Sequence, residues 1–320
     1  TVLFDAEPDP SPAALPAREW APRPLPSGAQ LLADALLERA TVPVEIVRGA
    51  RSILRAPGHV AERVVLGLAG VGSLARTGLR LAPPSPLNVR IGPHRRFTWV
   101  HGELSEFKAV KDALGGTVND AVLAAVAGAL HRYLGRQAEL AAETELRAMV
   151  PISIRAEIER GALGNRVAAM WAPLPIGLAD PIARLAAIRR SMAGVKRSGQ
   201  AVGAQVLTQL SGFAPPTILA QAARLQAHQR LFNLVVTNVP GPQAPLYILG
   251  RRLEAVYPMV PLAVNQALGV AIMSYAGRLD FGLNADYDAL PDLAELADDL
   301  RHAIDELVVA ARTADRAAAG

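Results

Sequence analysis

Gly115-Gly116-Thr117-Val118-Asn119-Asp120 opens a long run of small apolar residues, Ala121 to Leu134. Two glycines break whatever precedes. Thr117 is then a natural N-cap, and Asp120 three residues on completes a Thr-x-x-Asp capping pattern. The pattern gives Asp120 a structural duty, accepting backbone N–H groups. Asn119 falls at the second helical position, where capping asks nothing of it. Either the stretch is a helix start and nothing more, or Asn119 is held at the mouth of a buried helix to meet a ligand. The other polar candidates are weaker. Ser153 in Pro151-Ile152-Ser153-Ile154-Arg155 lacks the Gly-x-Ser-x-Gly elbow of an activated serine and reads as the polar face of a strand. Arg155 is a possible phosphate ligand, and Asn165 after Gly164 has the chemistry of a turn residue. Gly67, Gly70 and Gly72 lack the strand and the Lys-Ser/Thr of a phosphate-binding loop.

The elements that must position these residues read as follows. The 320-residue chain is 51% hydrophobic and 19% charged, ample to bury a core. Prolines crowd residues 5–28, which forces an extended connector. Helical periodicity runs from about Gln30 to Leu81, broken at Pro43 and Pro57-Gly58, and Pro83-Pro84-Ser85-Pro86 ends it. The expected domains are therefore a connector over 1–28, a helical segment over 29–86 and an α/β unit over 87–320. Within that unit strands are expected at Phe97–Leu104, Leu146–Ile154, Val167–Pro173 and Leu234–Thr237. A hairpin is expected from Leu268–Tyr275 and Leu279–Ala285, turning at Ala276-Gly277. Helices are expected at Ser105–Leu114, Val118–Leu134, Pro181–Lys196, Ala201–Leu210 and Thr217–Leu231. Asp292 caps a last amphipathic helix with Leu293, Leu296, Leu300, Ile304 and Leu307 on one face. Its acidic pairs, Asp298-Asp299 and Asp305-Glu306, are expected on the solvent side. Helices interspersed with hairpins imply a mixed sheet.

Asn238-Val239-Pro240-Gly241-Pro242 follows the Leu234 strand. Pro240 forces Val239 to be extended, and Pro-Gly suits the centre of a type II turn. The segment is either a rigid turn or the wall of an apolar channel, since two prolines remove backbone donors. Taken in order with Pro86-Leu87-Asn88, Arg95-Arg96, Asn119-Asp120, Met149 to Arg155, Gly164-Asn165-Arg166-Val167 and Thr237 to Pro242, the chain resembles the bacterial wax ester synthase/diacylglycerol acyltransferase family from about Pro83 to its C-terminus. Asn119-Asp120 matches the family's Asn-Asp motif.

The resemblance implies a chloramphenicol acetyltransferase-like or condensation-domain-like mixed sheet flanked by helices, with an active-site channel between two subdomains. It implies transfer of a fatty acyl group from acyl-CoA to diacylglycerol or a long-chain alcohol, with no metal and no cofactor beyond the acyl-CoA substrate. Asn119 and Asp120 would support the active site. Pro151, Ser153, Arg155, Asn165, Asn238, Val239, Pro240, Gly241 and Pro242 would lie along the substrate channel. One departure is large. The family's base belongs to a His-His-x-x-x-Asp-Gly motif, and His59, His94, His101, His131, His228 and His302 form no such pattern. The chain, beginning at Thr1, is thus expected to act with an N-terminal segment, covalent or retained, that carries the base. A non-catalytic lipid-binding or interaction module, and a condensation-type enzyme drawing on a carrier protein, are the alternatives from other classes.

Charge and composition narrow the partners. Arg39 to Arg96 holds ten arginines against Glu45 and Glu62. Arg48, Arg51 and Arg55 share one helical face, which fits either a solvated face or contact with a membrane or lipid-droplet surface. Without interleaved aromatics or a recognition motif, nucleic acid is not expected. The absence of cysteine excludes disulfides and thiolate metal sites. Val64 to Ala75 is too short to span a bilayer. The family resemblance implies a cytoplasmic protein peripheral to a membrane or lipid droplet.

Overall fold

A computed structural model describes residues 4–8, 25–34, 81–153, 167–197 and 231–319. In chain order the elements of the main body are β1 (Arg95–Glu103), α1 (Leu104–Leu114), α2 (Val118–Gly135), β2 (Leu146–Ser153), β3 (Val167–Leu174), α3 (Pro181–Arg197), β4 (Leu234–Pro240), β5 (Tyr247–Ile248), β6 (Arg251–Arg252), β7 (Leu268–Tyr275), β8 (Arg278–Asp286) and α4 (Leu293–Ala319). Six strands form one sheet in the order β1-β8-β7-β4-β2-β3. β4 runs parallel to both β2 and β7, while β1–β8, β7–β8 and β2–β3 are antiparallel. The sheet is mixed, as the interspersed hairpins require. The expected helices at 201–210 and 217–231 fall almost wholly outside the described residues, as do Arg48, Arg51 and Arg55.

Alternation along the strands gives the sheet two unlike faces. Leu234 and Val236 of β4, Leu268, Val270 and Ile272 of β7, and Leu279, Phe281 and Leu283 of β8 enter one core with α1, α2 and α4. α2 is buried from Asp120 through Leu130, the behaviour of a helix that is apolar all round. Its closest crossing is at Gly128, where a Cβ would lie 2.4 Å from Arg184 Nη1 and 2.9 Å from Ala303 Cβ. Arg184 is itself 1% exposed and donates to the carbonyls of Leu178 and Ala179. Burial lowers the pKa of this guanidinium, against the raising influence of Glu306 and Asp180.

The opposite face carries the connection from β4 to β7. Gly282 and Gly269, on neighbouring strands, leave room for it. A Cβ at Gly282 would lie 1.8 Å from Pro258 O, and one at Gly269 would lie 2.7 Å from Val260 Cγ1. Asn284 Nδ2 donates to Val260 O (2.9 Å), fastening the connection down. Trp99 of β1 and Tyr257 of the connection stack here with ring centroids 4.8 Å apart, both partly exposed.

The Pro-Leu-Asn segment is welded to the sheet. Leu87 is buried, and Asn88 Nδ2 donates to Phe232 O and Asn265 O. Asn233, wholly buried, donates to Asn88 Oδ1 and Pro83 O and accepts from Arg147 N. Elsewhere, residues 28–34 are helical, opened by reciprocal bonds between Ser27 and Gln30, and Asp5 pairs with Tyr247.

One expectation for α4 is corrected. Asp299 does not face solvent. It is buried, and both its oxygens accept from Arg136 at the end of α2 (2.8 and 2.7 Å). Glu306 pairs with Arg132 of the same helix. Asp299 faces inward and Glu306 is half-buried because the C-terminus of α2 presents two arginines to them, which a helical wheel of α4 alone does not reveal. Asp298 stays on the surface, paired with Arg301. Among the described residues no single helix is long and apolar enough to cross a membrane. α1 and α2 pass that test only as a pair, bent by 100°.

Candidate active site

β2, β4 and β7 are parallel to one another, so their carboxyl ends lie at one end of the sheet, the position where open α/β sheets bind ligands. α2 begins there. Gly115 and Gly116 adopt φ of 77° and 98°, conformations natural to glycine, and turn the chain by 100° between α1 and α2. They also admit Arg189 of α3. A Cβ at Gly115 would lie 2.7 Å from its guanidinium, and Arg189 Nη1 donates to Leu114 O.

The capping box is present. Asp120 N donates to Thr117 Oγ1 (3.2 Å), while Asp120 Oδ2 accepts from Thr117 N and Thr117 Oγ1 (both 2.8 Å). Asp120 is 5% exposed, its carboxylate committed to the cap. Asn119, half-buried, is left out of the cap and finds a partner 119 residues away. Its Oδ1 accepts from Asn238 Nδ2 of β4 at 3.4 Å. Two motifs far apart in the chain thus meet side chain to side chain.

Asn238 to Pro242 is a strand end. The expected type II turn is not formed. Val239 and Pro240 remain in register with Met273 and Ser274 of β7, and Gly241 N continues the ladder to Ser274 O (3.0 Å). Gly241 does not take the positive φ that the turn demands. Its lack of a side chain serves close approach instead, since a Cβ would sit 2.3 Å from Ser274 O. Pro240 fits because its missing N–H falls at the end of the ladder. Val239 points away from the core and is 50% exposed.

Sequence reasoning missed the residues that seal this end. Gln243 Nε2 donates to Ser274 Oγ and Gly241 O (3.0 and 2.9 Å), and its Oε1 accepts from Gly277 N in the β7–β8 turn (3.2 Å). The signal available was only a polar residue after Pro-Gly-Pro, too common to single out. Of the other candidates, Pro151 and Ser153 end β2 in pairs with Ala169 and Val167. The parallel pairing of β2 with β4 covers Ala148↔Leu234 and Met149↔Val235. Arg155 and Asn165 lie outside the described residues. Three histidines have structural partners: His101 with Asp280 and Glu103, His131 with Ile176 O, and His302 with Asp298 O. Among the described residues no three His, Asp or Glu side chains gather as metal ligands would.

A mixed sheet with helices on one face and a long connection on the other, with a polar junction at its carboxyl end, is an acyltransferase and condensation-type architecture. Part of a nonribosomal peptide synthetase superposes with a TM-score of 0.52, at 14% identity, over 75% of this chain and 24% of that one, a likeness of fold alone. The wax ester synthase/diacylglycerol acyltransferase from Marinobacter aquaeolei VT8 superposes with a TM-score of 0.54 at 29% identity, over 75% of this chain and 56% of that one. Residues 2–122 match the family model of the wax ester synthase/diacylglycerol acyltransferase catalytic domain, and residues 163–308 match that of the family's C-terminal domain. The chain belongs to the wax ester synthase/diacylglycerol acyltransferase family. Two relatives from Mycobacterium tuberculosis, both bearing the name of a diacylglycerol O-acyltransferase, are 32% identical over 289 residues and 35% identical over 291. The matches take in 87% and 89% of this chain but 55% and 61% of the relatives, so the chain spans little more than half their length.

Proposed function

We propose that this chain is part of an acyl-CoA-dependent O-acyltransferase that transfers a fatty acyl group to diacylglycerol or a long-chain alcohol. The observation that carries the reading is the junction of Asn119 with Asn238 at the carboxyl end of the sheet, in a chain of this family. In the reaction the acceptor hydroxyl oxygen attacks the thioester carbonyl carbon and gives its proton to a general base. The carbon–sulfur bond then breaks, and the leaving thiolate takes up that proton, so no covalent enzyme intermediate and no redox partner is required. The base is a histidine supplied by a segment outside residues 1–320, which is this chain's first partner. Asn119 supports the site directly, and Asp120 does so by holding the helix mouth. Pro151, Ser153, Val239, Pro240, Gly241 and Pro242 form one wall of the substrate path, and the family resemblance adds Arg155 and Asn165 as candidates for it. The enzyme works in the cytoplasm against a membrane or lipid-droplet surface, where such acceptors reside.

The test is acyl-CoA turnover with diacylglycerol and with a long-chain alcohol, no carrier protein being added, by the protein as its host makes it. Asn119→Ala is expected to lower activity while its melting temperature stays near that of wild type. Unchanged activity removes Asn119 from the site, and turnover that needs a carrier protein replaces the donor assigned here.

A further inference from the structure

The Asn119–Asn238 contact uses half of each amide. Asn238 Nδ2 donates to Asn119 Oδ1. Neither side chain has another hydrogen-bond partner among the described residues, so Asn119 keeps its NH2 group free and Asn238 keeps its carbonyl oxygen. A carboxamide is two-ended: half a turn about its last torsion exchanges a donor for an acceptor in the same place. Something must select which end faces outward. Asp120 and the Thr117 hydroxyl cannot, because they are engaged with each other in the cap. Asn238 is the one hydrogen-bond partner of the Asn119 amide among the described residues.

Resting on the acyl-transfer reading above, we infer that Asn238 is a positioning residue for Asn119, holding its carbonyl against β4 so that its NH2 group is offered to the carbonyl oxygen of the reacting acyl group. As the acceptor adds, negative charge builds on that oxygen. A fixed donor aimed there stabilises the transition state more than the ground state. The carbonyl end of the same amide would repel the charge. The contact is long at 3.4 Å.

Three substitutions in the protein as its host makes it separate this role from a structural one. Asn119→Asp keeps an acceptor for Asn238 Nδ2 but has no donor left. Its kcat should fall about a hundredfold, as loss of an oxyanion donor does, with little change in KM or melting temperature. Asn238→Ala frees the Asn119 amide to turn, and kcat should fall about tenfold from lost orientation. Asn238→Asp is nearly isosteric but offers only acceptors. It should turn the Asn119 amide over, presenting the wrong end to the substrate, and reduce kcat further than Asn238→Ala does. A side chain that merely packs shows the reverse order, the isosteric change being milder. Asn238→Asp matching wild type, or outperforming Asn238→Ala, overturns the inference while leaving acyl transfer intact. Wild-type protein that moves no acyl group from acyl-CoA overturns the functional reading and this inference with it.

Discussion

Asp286, at the end of β8 remote from the candidate site, offers a measurable link between charge and fold. Its side chain is 3% exposed. One oxygen accepts from Gly92 N (2.7 Å) and, at 3.5 Å, from Arg95 Nη1. The other accepts from Asp288 N (3.2 Å) and Ala289 N (3.0 Å). Burial alone would raise the carboxyl pKa, but the backbone donors of Ala289, Gly92 and Asp288, with Arg95, outweigh it and hold the pKa below its ordinary value. Asp286→Asn keeps the shape and one acceptor but points an NH2 group at Gly92 N–H. Losing the charge-assisted bonding costs about 1.5–3 kcal/mol, and stranding a buried donor costs about 1–3 more. Arg95, about one-third exposed, adds less than about 1 kcal/mol. The expected loss at pH 7 is about 3 kcal/mol. Because the folded pKa lies below the unfolded one, this stabilisation is complete above about pH 4 and disappears as pH falls through the folded value. Urea unfolding of wild type and variant at pH 7, 5 and 3 should therefore show a gap that is wide at the first two and narrower at the third. Coincident midpoints at pH 7, or an equal gap at every pH, refute the reasoning. Acyl transfer by the folded variant should be unimpaired.

Thr117→Ala removes the cap of α2 and should cost about 1 kcal/mol in denaturant unfolding, with Thr117→Ser restoring most of it. Gly241→Ala forces a Cβ against Ser274 O, so the strand end must shift. A loss of about 1–3 kcal/mol, accompanied by reduced turnover, is expected, and an unchanged melting curve would show that the β4–β7 ladder yields there without strain.

Local chemistry was legible in the residues and distant pairing was not. The alternation of Leu268–Tyr275 and Leu279–Ala285 predicts a hairpin about Ala276-Gly277, and β7 and β8 form it. Thr117 and Asp120 announce a capping box because all its atoms lie within one turn. Asn119 has no local explanation for the opposite reason: its partner is on another strand. Pro240-Gly241 was open to misreading because a turn and a strand end ask for the same dipeptide, and only the neighbouring β7 decides between them. Asp299 and Glu306 look like surface acids until the arginines of α2 are placed opposite. Leu87 and Asn88 carry the family resemblance, yet here they pin a chain segment to the start of β4, a role invisible without Phe232, Asn233 and Asn265 in space.

The cap on α2 also acts as a phase lock. Each residue of an α-helix turns the next by about 100°, so the bearing of every side chain is counted from the point where the helix begins. Asn119 lies only two residues beyond Thr117, within the turn most prone to fray. A helix free to start one residue earlier or later would leave Asn119 in place on average but unsteady in direction. Closed by Asp120, it has one starting point and Asn119 one heading. Heat that opened this single turn would then silence the proposed acyl transfer while the sheet and the remaining helices stood intact, so inactivation should precede unfolding on a temperature ramp.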